Sequence, residues 1–203
     1  LSGDEKLSLK QGMNQINWNM LYPEADKFEG MLTWNGNGGN PAAPPGKYFV
    51  SMSLGKDSVI KEFTIKKPGN VQASDEDLQA KFKFLIRCRD KLSETNSTVK
   101  QIREIRNQLN EFTERINSDK TINESIRNEL SKQKDSILKK LTPIEERLYQ
   151  TKSKAGQDFL NYPVMLNDKL ADLMNAVNIG NTRPSKQAQD LYIDLSARID
   201  EQI

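Results

Sequence analysis

A chain of 203 residues that is 35% apolar and 29% charged suits one or two domains, and it is rich enough in both classes for long helices that bury one stripe and solvate the rest. With 30 basic against 28 acidic side chains there is no global field to draw nucleic acid or an anionic membrane. Histidine is absent, which removes the commonest general base and transition-metal ligand, and the single cysteine, Cys88, excludes an internal disulfide and a cysteine-rich zinc site.

No cofactor, metal site or catalytic set is therefore expected, and the chain reads as non-enzymatic. No run approaches the roughly 18 apolar residues of a membrane span, and no signal peptide is visible. Because Leu1 is not an initiator methionine, the reading is of a processed chain or a piece of a larger one.

The composition breaks near residue 70. Nine of the 11 glycines and both tryptophans precede it, whereas Ser74 to Lys154 contains no glycine and only one proline, Pro143. The fold class that follows is α+β, with an antiparallel β unit over 1–70 and a helical domain over 71–203.

In the first part, Leu7 and Leu9 offer an edge strand. Ile16, Trp18, Met20 and Tyr22 then alternate as in a half-buried strand that Pro23 ends. Met31 to Trp34 is a second apolar run. Tyr48, Val50, Met52 and Leu54 alternate after the Pro44-Pro45-Gly46 turn, and Gly55-Lys56-Asp57 returns the chain through Val59 to Ile65. Four or five strands are expected. Their apolar face needs a second layer, supplied by the helices, by a second copy or by strands preceding this chain.

The stretch Asn35-Gly36-Asn37-Gly38-Gly39-Asn40-Pro41 lacks the Gly-Lys-Ser/Thr of a phosphate-binding loop and reads first as a connection between strands. Its second reading is a sugar or peptide platform formed by Trp34, Asn35, Asn37 and Asn40, the candidate ligand-binding residues. Trp18 is expected in the core.

Ser74 with Asp77 predicts a helix start, and Leu78, Phe82, Leu85, Leu92, Val99, Ile102, Leu109, Phe112 and Ile116 keep a three-and-four spacing. Arg89 and Asn96 interrupt the seam as register devices. Cys88 reads as a buried apolar residue. After Asn117–Lys120, Thr121 and Glu124 suggest a capping box, and Ile122, Ile126, Leu130, Ile137, Leu141, Ile144 and Leu148 run back, with a bend at Pro143.

This predicts a long antiparallel hairpin over about 75–155 whose seam buries Phe82, Leu85, Leu92, Leu109, Ile126 and Ile137. Two shorter helices over about 162–203 complete a bundle. Pro163 is placed in the first turn of one, which ends at Gly180-Asn181, and Thr182 or Ser185 caps the other. Lys100, Arg103, Arg106 and Arg115 among Glu104, Glu111 and Glu114 read as a mixed solvated face, as do the acid pairs Glu145-Glu146 and Asp190-Asp194. Two glycosylation sequons, at Asn96 and Asn123, fall in these helices.

Read together, Gly12–Met20, Tyr22-Pro23, Ala43–Tyr48, Arg89–Ser93 and Leu160–Leu170 resemble the C-terminal region of large secreted bacterial proteins with BNR or sortilin-like β-propellers, often labelled glycosyl hydrolases. The Gly-x-Asn-x-x-x-Trp and Pro-Gly-x-Tyr pieces also resemble late strands of the immunoglobulin-like sheet in flagellar hook-capping proteins. The resemblance implies a secreted or periplasmic location, an upstream propeller as partner and an immunoglobulin-like β unit. No propeller repeat or Asp-box is present, so it carries over no catalytic residue. The expected role is a non-catalytic scaffold or protein-interaction module. A carbohydrate-binding module is the alternative, and an independent hydrolase is the least favoured reading. The expected partners are a protein or a glycan, with a homodimer of the isolated chain also open.

Overall fold

The computed structural model, which describes residues 11–203, is α+β: a two-stranded antiparallel sheet followed by four helices. The edge strand expected at Leu7 and Leu9 lies outside the described residues. Strand β1 (Gly46–Leu54) pairs with β2 (Asp57–Ile65) so that Tyr48 faces Phe63, Val50 faces Lys61 and Met52 faces Val59. Gly55, at φ 60°, turns the chain between them.

Four or five strands were expected, and among the described residues only these two form, beside one isolated bridge between Leu21 and Ala42. The reasons are local. The alternation from Ile16 ends at Met20, whose φ of 59° leaves the extended region, and the Asn19 side chain accepts from the Leu21 amide at 3.0 Å in place of a ladder partner. In the run Met31–Trp34 the Met31 amide turns back to Phe28 O at 3.2 Å, and those of Leu32 and Trp34 go to side chains instead of a neighbouring strand. Leu32 N–H donates to the Tyr149 hydroxyl at 2.9 Å, and Trp34 N–H to Asp168 Oδ1 at 3.0 Å.

Strand alternation collects Tyr48, Val50, Met52, Val59 and Phe63 on one face of the sheet. Trp18 covers one end, its ring centroid 5.9 Å from Tyr48 and 6.3 Å from Phe63, but the helices do not cover the rest. Val50, Met52 and Val59 are 48%, 64% and 50% exposed, which corrects the expectation of a helical cover.

Helix α1 (Asp75–Ser118) has 44 residues and is therefore about 66 Å long. Ser74 caps it, accepting from the Asp77 amide at 3.1 Å. Helix α2 (Glu124–Leu148) runs back through Pro143. Its cap is Asn123, not Thr121, because Asp119 Oδ1 already takes both the amide and the hydroxyl of Thr121. Helix α3 (Leu166–Ile179) starts three residues after Pro163, whose carbonyl instead accepts from Gln150 at 2.8 Å. Its C-terminal carbonyls, those of Asn178 and Gly180, receive the ammonium of Lys81 from α1. Helix α4 (Lys186–Asp200) is capped by Ser185.

The core forms where all four helices meet. Phe84, Leu85, Cys88, Leu92 and Val99 of α1 pack with Leu148, Leu170, Met174, Leu195 and Ile199, and Ala25 and Phe28 of the N-terminal segment join them. Packing therefore crosses the compositional break at residue 70. Burial pushes the Cys88 thiol up to about 12, so it is a protonated apolar filler.

The buried apolar residues of α1 end at Ile102, and α2 first reaches the core at Ile144. Past Arg103 and Arg106 the hairpin extends beyond this core. Ile126 and Ile137, expected in the seam, are exposed there, and Leu109 is only partly buried, because two helices bury only the strip between them; Phe82, near the start of α1, is also half-buried, against the ring of Tyr22.

Leu92→Ala should lower the unfolding free energy by about 2–5 kcal/mol, whereas Ile193→Ala, on the exposed face of α4, should change it by no more than about 0.5 kcal/mol in the same urea titration.

Candidate functional site

The loop carrying the four candidate binding residues lies along α3. Asp168, Asp172, Asn175 and Asn178 recur at intervals of four and three residues and so form one polar stripe on that helix. The stripe meets the loop group by group. Asp168 accepts from the Trp34 amide and Asp172 from the Asn35 side chain at 2.9 Å, while Asn175 donates to Asn35 O at 2.9 Å. Asn178 reaches Asn40 O at 3.5 Å.

On its other side the loop meets α1 and the preceding segment. Buried Asn37 donates to Ala25 O at 2.6 Å, Asn40 donates to Tyr22 O at 2.9 Å, and Asn96 donates to Asp26 O at 2.7 Å and to Asn37 Oδ1 at 3.4 Å. Asn96 is thus a partner of the loop; the polar seam position serves this joint instead of the register of two helices. Gly38, at φ 79°, lies directly on Met174, and a Cβ there would sit 2.6 Å from its sulfur.

The side chains of Asn35, Asn37 and Asn40 are all engaged in holding the loop. Trp34 differs. Its indole is 44% exposed and lies 6.0 Å from buried Phe159, with the rings tilted by 59°.

Asp168 is the buried acid of this joint. Burial raises its carboxyl to about 6, against the lowering effect of the Trp34 N–H, and neighbouring Asp172 adds to the rise. Sequence reasoning did not single it out, although acids and amides recurring at helical spacing on an otherwise apolar helix were a visible signal.

A second polar cluster lines a cleft of about 680 Å³ at the base of the hairpin, bounded by Gly30, Arg103, Arg106, Glu145, Tyr149 and Lys154. Glu145, expected on a solvated face, is only 3% exposed. Arg103 Nε donates to one of its oxygens at 2.8 Å and Arg106 Nη2 to the other at 2.6 Å. The Arg103 guanidinium also lies over the rings of Phe28 and Tyr149, at 4.7 and 5.0 Å. Both carboxylate oxygens are thereby used to join α1 to α2. Removing one partner from such a buried pair typically costs about 3–5 kcal/mol. Arg103 and Arg106 accordingly leave the mixed surface on which they were expected. Asp190 and Asp194 do lie on the surface, where they pair with Lys186 and Arg198.

Among the described residues, no group of three or more histidine, cysteine, aspartate or glutamate side chains could hold a metal ion, and no helix is long and apolar enough to cross a membrane. No family model matches the chain, and no curated protein or solved structure does either.

Gly38→Ala should destabilise the fold by more than about 1 kcal/mol in thermal or urea unfolding, through the left-handed backbone and the contact with Met174. Asp168 gives a pH test. Its folded carboxyl titrates near 6 and its unfolded one near 3.8, so the folded state binds more protons between these values and stability falls as pH rises through that window. The fall is on the order of 3 kcal/mol and is complete above it. Asp168→Asn retains an oxygen for the Trp34 amide and should flatten this part of the stability-against-pH curve.

Proposed function

We propose that the chain is a non-catalytic accessory module, a scaffold or protein-interaction part of a secreted or periplasmic propeller protein, with an immunoglobulin-like β unit completed outside the described residues. The observation that carries this reading is the half-covered sheet. Among the described residues β1 and β2 have no third strand beside them, and their shared apolar face is capped by Trp18 at one end and wet over Val50, Met52 and Val59. A wet apolar face on so small a sheet is a form that further strands or a neighbouring domain complete.

The resemblance to propeller-protein C-termini supplies the occupant: upstream strands, and beyond them the propeller. The motif pieces that carry this resemblance lie at joints. Ser93 accepts from the Asp26 amide at 3.0 Å, the Pro45 carbonyl accepts from Gln79 at 2.9 Å, and Asp168 holds Trp34. Such residues attach a β unit to a helical base, which suits a role of positioning over one of turnover.

The carbohydrate-binding alternative rests on the half-exposed indole of Trp34. The asparagine side chains beside it are engaged within the protein, and Phe159 is neither exposed nor coplanar with the indole.

Hydrogen exchange tests the leading reading. In the parent protein, or in a version extended by about 60 residues on the N-terminal side, enough for a sandwich of roughly 100 residues, the amides of Tyr48 to Phe63 should exchange more slowly than in the 203-residue chain, and the melting temperature should rise. Equal exchange and equal melting would show that nothing upstream uses this face.

A further inference from the structure

The hairpin half-buries Leu109, Ile116, Leu130 and Leu138 in its seam but leaves four further large apolar residues beside it. On α1 the seam side is marked by Ile102, Arg106 and Thr113, which are buried or half-buried; on α2 it is marked by Lys134, Leu138 and Glu145. At about 100° per residue, Ile105 and Phe112 fall roughly 90° to one side of the first seam, and Ile126 and Ile137 roughly 90° to the same nominal side of the second. Viewed from one end, antiparallel helices wind in opposite senses, so equal offsets place both pairs on one face of the hairpin. These four side chains are 41%, 42%, 50% and 41% exposed.

We propose that this face docks a second copy of itself, forming an all-antiparallel four-helix bundle with the two hairpin tips at the same end. Charge selects this occupant. In a two-fold bundle of this kind α1 of one copy lies over α2 of the other, and the margins of the two apolar faces meet. The margin of α1 carries Glu104 and Arg115, and that of α2 carries Lys140 and Glu129.

The short connection Asp119–Asn123 makes the end of α1 and the start of α2 level. Arg115 stands three residues before Ser118 and Glu129 five after Glu124, so in the dimer they come within about one turn of the same height. Glu104 and Lys140, 14 and 16 residues from the same ends, are level in the same way. Helical side chains lean toward their own N-terminus, which brings Arg115 and Glu129 of opposite copies toward each other. Each dimer thus gains two Arg115–Glu129 and two Glu104–Lys140 pairs around an apolar strip, the arrangement by which coiled coils choose their partners. Within one copy, Lys100 offers Glu104 only a long, exposed contact of 3.8 Å, which competes weakly.

Sedimentation of the full chain over a concentration series tests the proposal, with circular dichroism to confirm that each variant stays helical. The wild type should dimerise and Phe112→Glu should be monomeric. Arg115→Glu alone and Glu129→Arg alone should each weaken association by about tenfold or more, and the two together should restore it. Val50→Lys, on the sheet, should leave the dimer intact. A monomeric wild type, a double variant no tighter than the singles, or loss of the dimer through Val50→Lys would overturn the proposal. None of these results bears on the accessory-module reading, which is measured at the sheet.

Discussion

The joint between the Trp34–Asn40 loop and helices α1 and α3 holds the rest of the molecule in place. It is a polar network built inside a small core: Asn96 and Asn37 tie the loop to α1 and to the segment around Ala25, and Asp168, Asp172 and Asn175 tie it to α3. Only with this loop seated can Ala25 and Phe28 reach the core, and Phe28 then presents its ring to Tyr149 and to Arg103. Arg103 in turn holds Glu145 and hence α2. Each step is a modest interaction, but each buried polar group depends on the next for its partner, and losing one leaves another unsatisfied in a low-dielectric setting.

The glycines of the loop follow from this closeness. A backbone that must lie on Met174 has no room for a side chain at Gly38, and the left-handed conformation there removes the choice of most other residues. What looks in composition like a flexible polar connection is a fitted strap. The same reasoning separates Trp34 from the asparagines around it, since their side chains hold the loop by hydrogen bonds while its half-exposed indole makes only a ring contact with Phe159.

The helical part was legible in the sequence because its signals are periodic and local. Ser74 and Ser185 start helices through their side-chain oxygens, Gly180 follows the last residue of α3, and the spacing of Leu85, Leu92 and Val99 gives the buried face of α1. The β unit was only half legible. Alternation identified β1 and β2, yet the alternation from Ile16 ends in a single bridge and the apolar run Met31–Trp34 sends the amides of Leu32 and Trp34 to distant side chains, a long-range fact that no local pattern carries. The acids show the same limit. Glu145 and Glu146 are neighbours of identical chemistry, and only the facing arginines of α1 decide that one is buried and the other solvated.

The distribution of polarity along the hairpin separates its two ends by task. At the base, the strip between the helices carries an ion-paired carboxylate and is backed by the apolar core, so α1 and α2 are fixed there by α3, α4 and the N-terminal segment together. Toward the tip, the strip between the helices half-buries Leu109, Ile116, Leu130 and Leu138 beside Thr113 and Lys134, while Ile105, Phe112, Ile126 and Ile137 stand to one side in water. Burying those four side chains as well would stabilise a hairpin that stood alone, since each fully buried large apolar side chain contributes about 1.5–3 kcal/mol. The tip therefore leaves four large apolar side chains outside its seam, and the ion-paired base fixes the relation of the two helices so that these four share one face. In the proposed dimer, the free energy that these four side chains do not contribute within the hairpin becomes available for association.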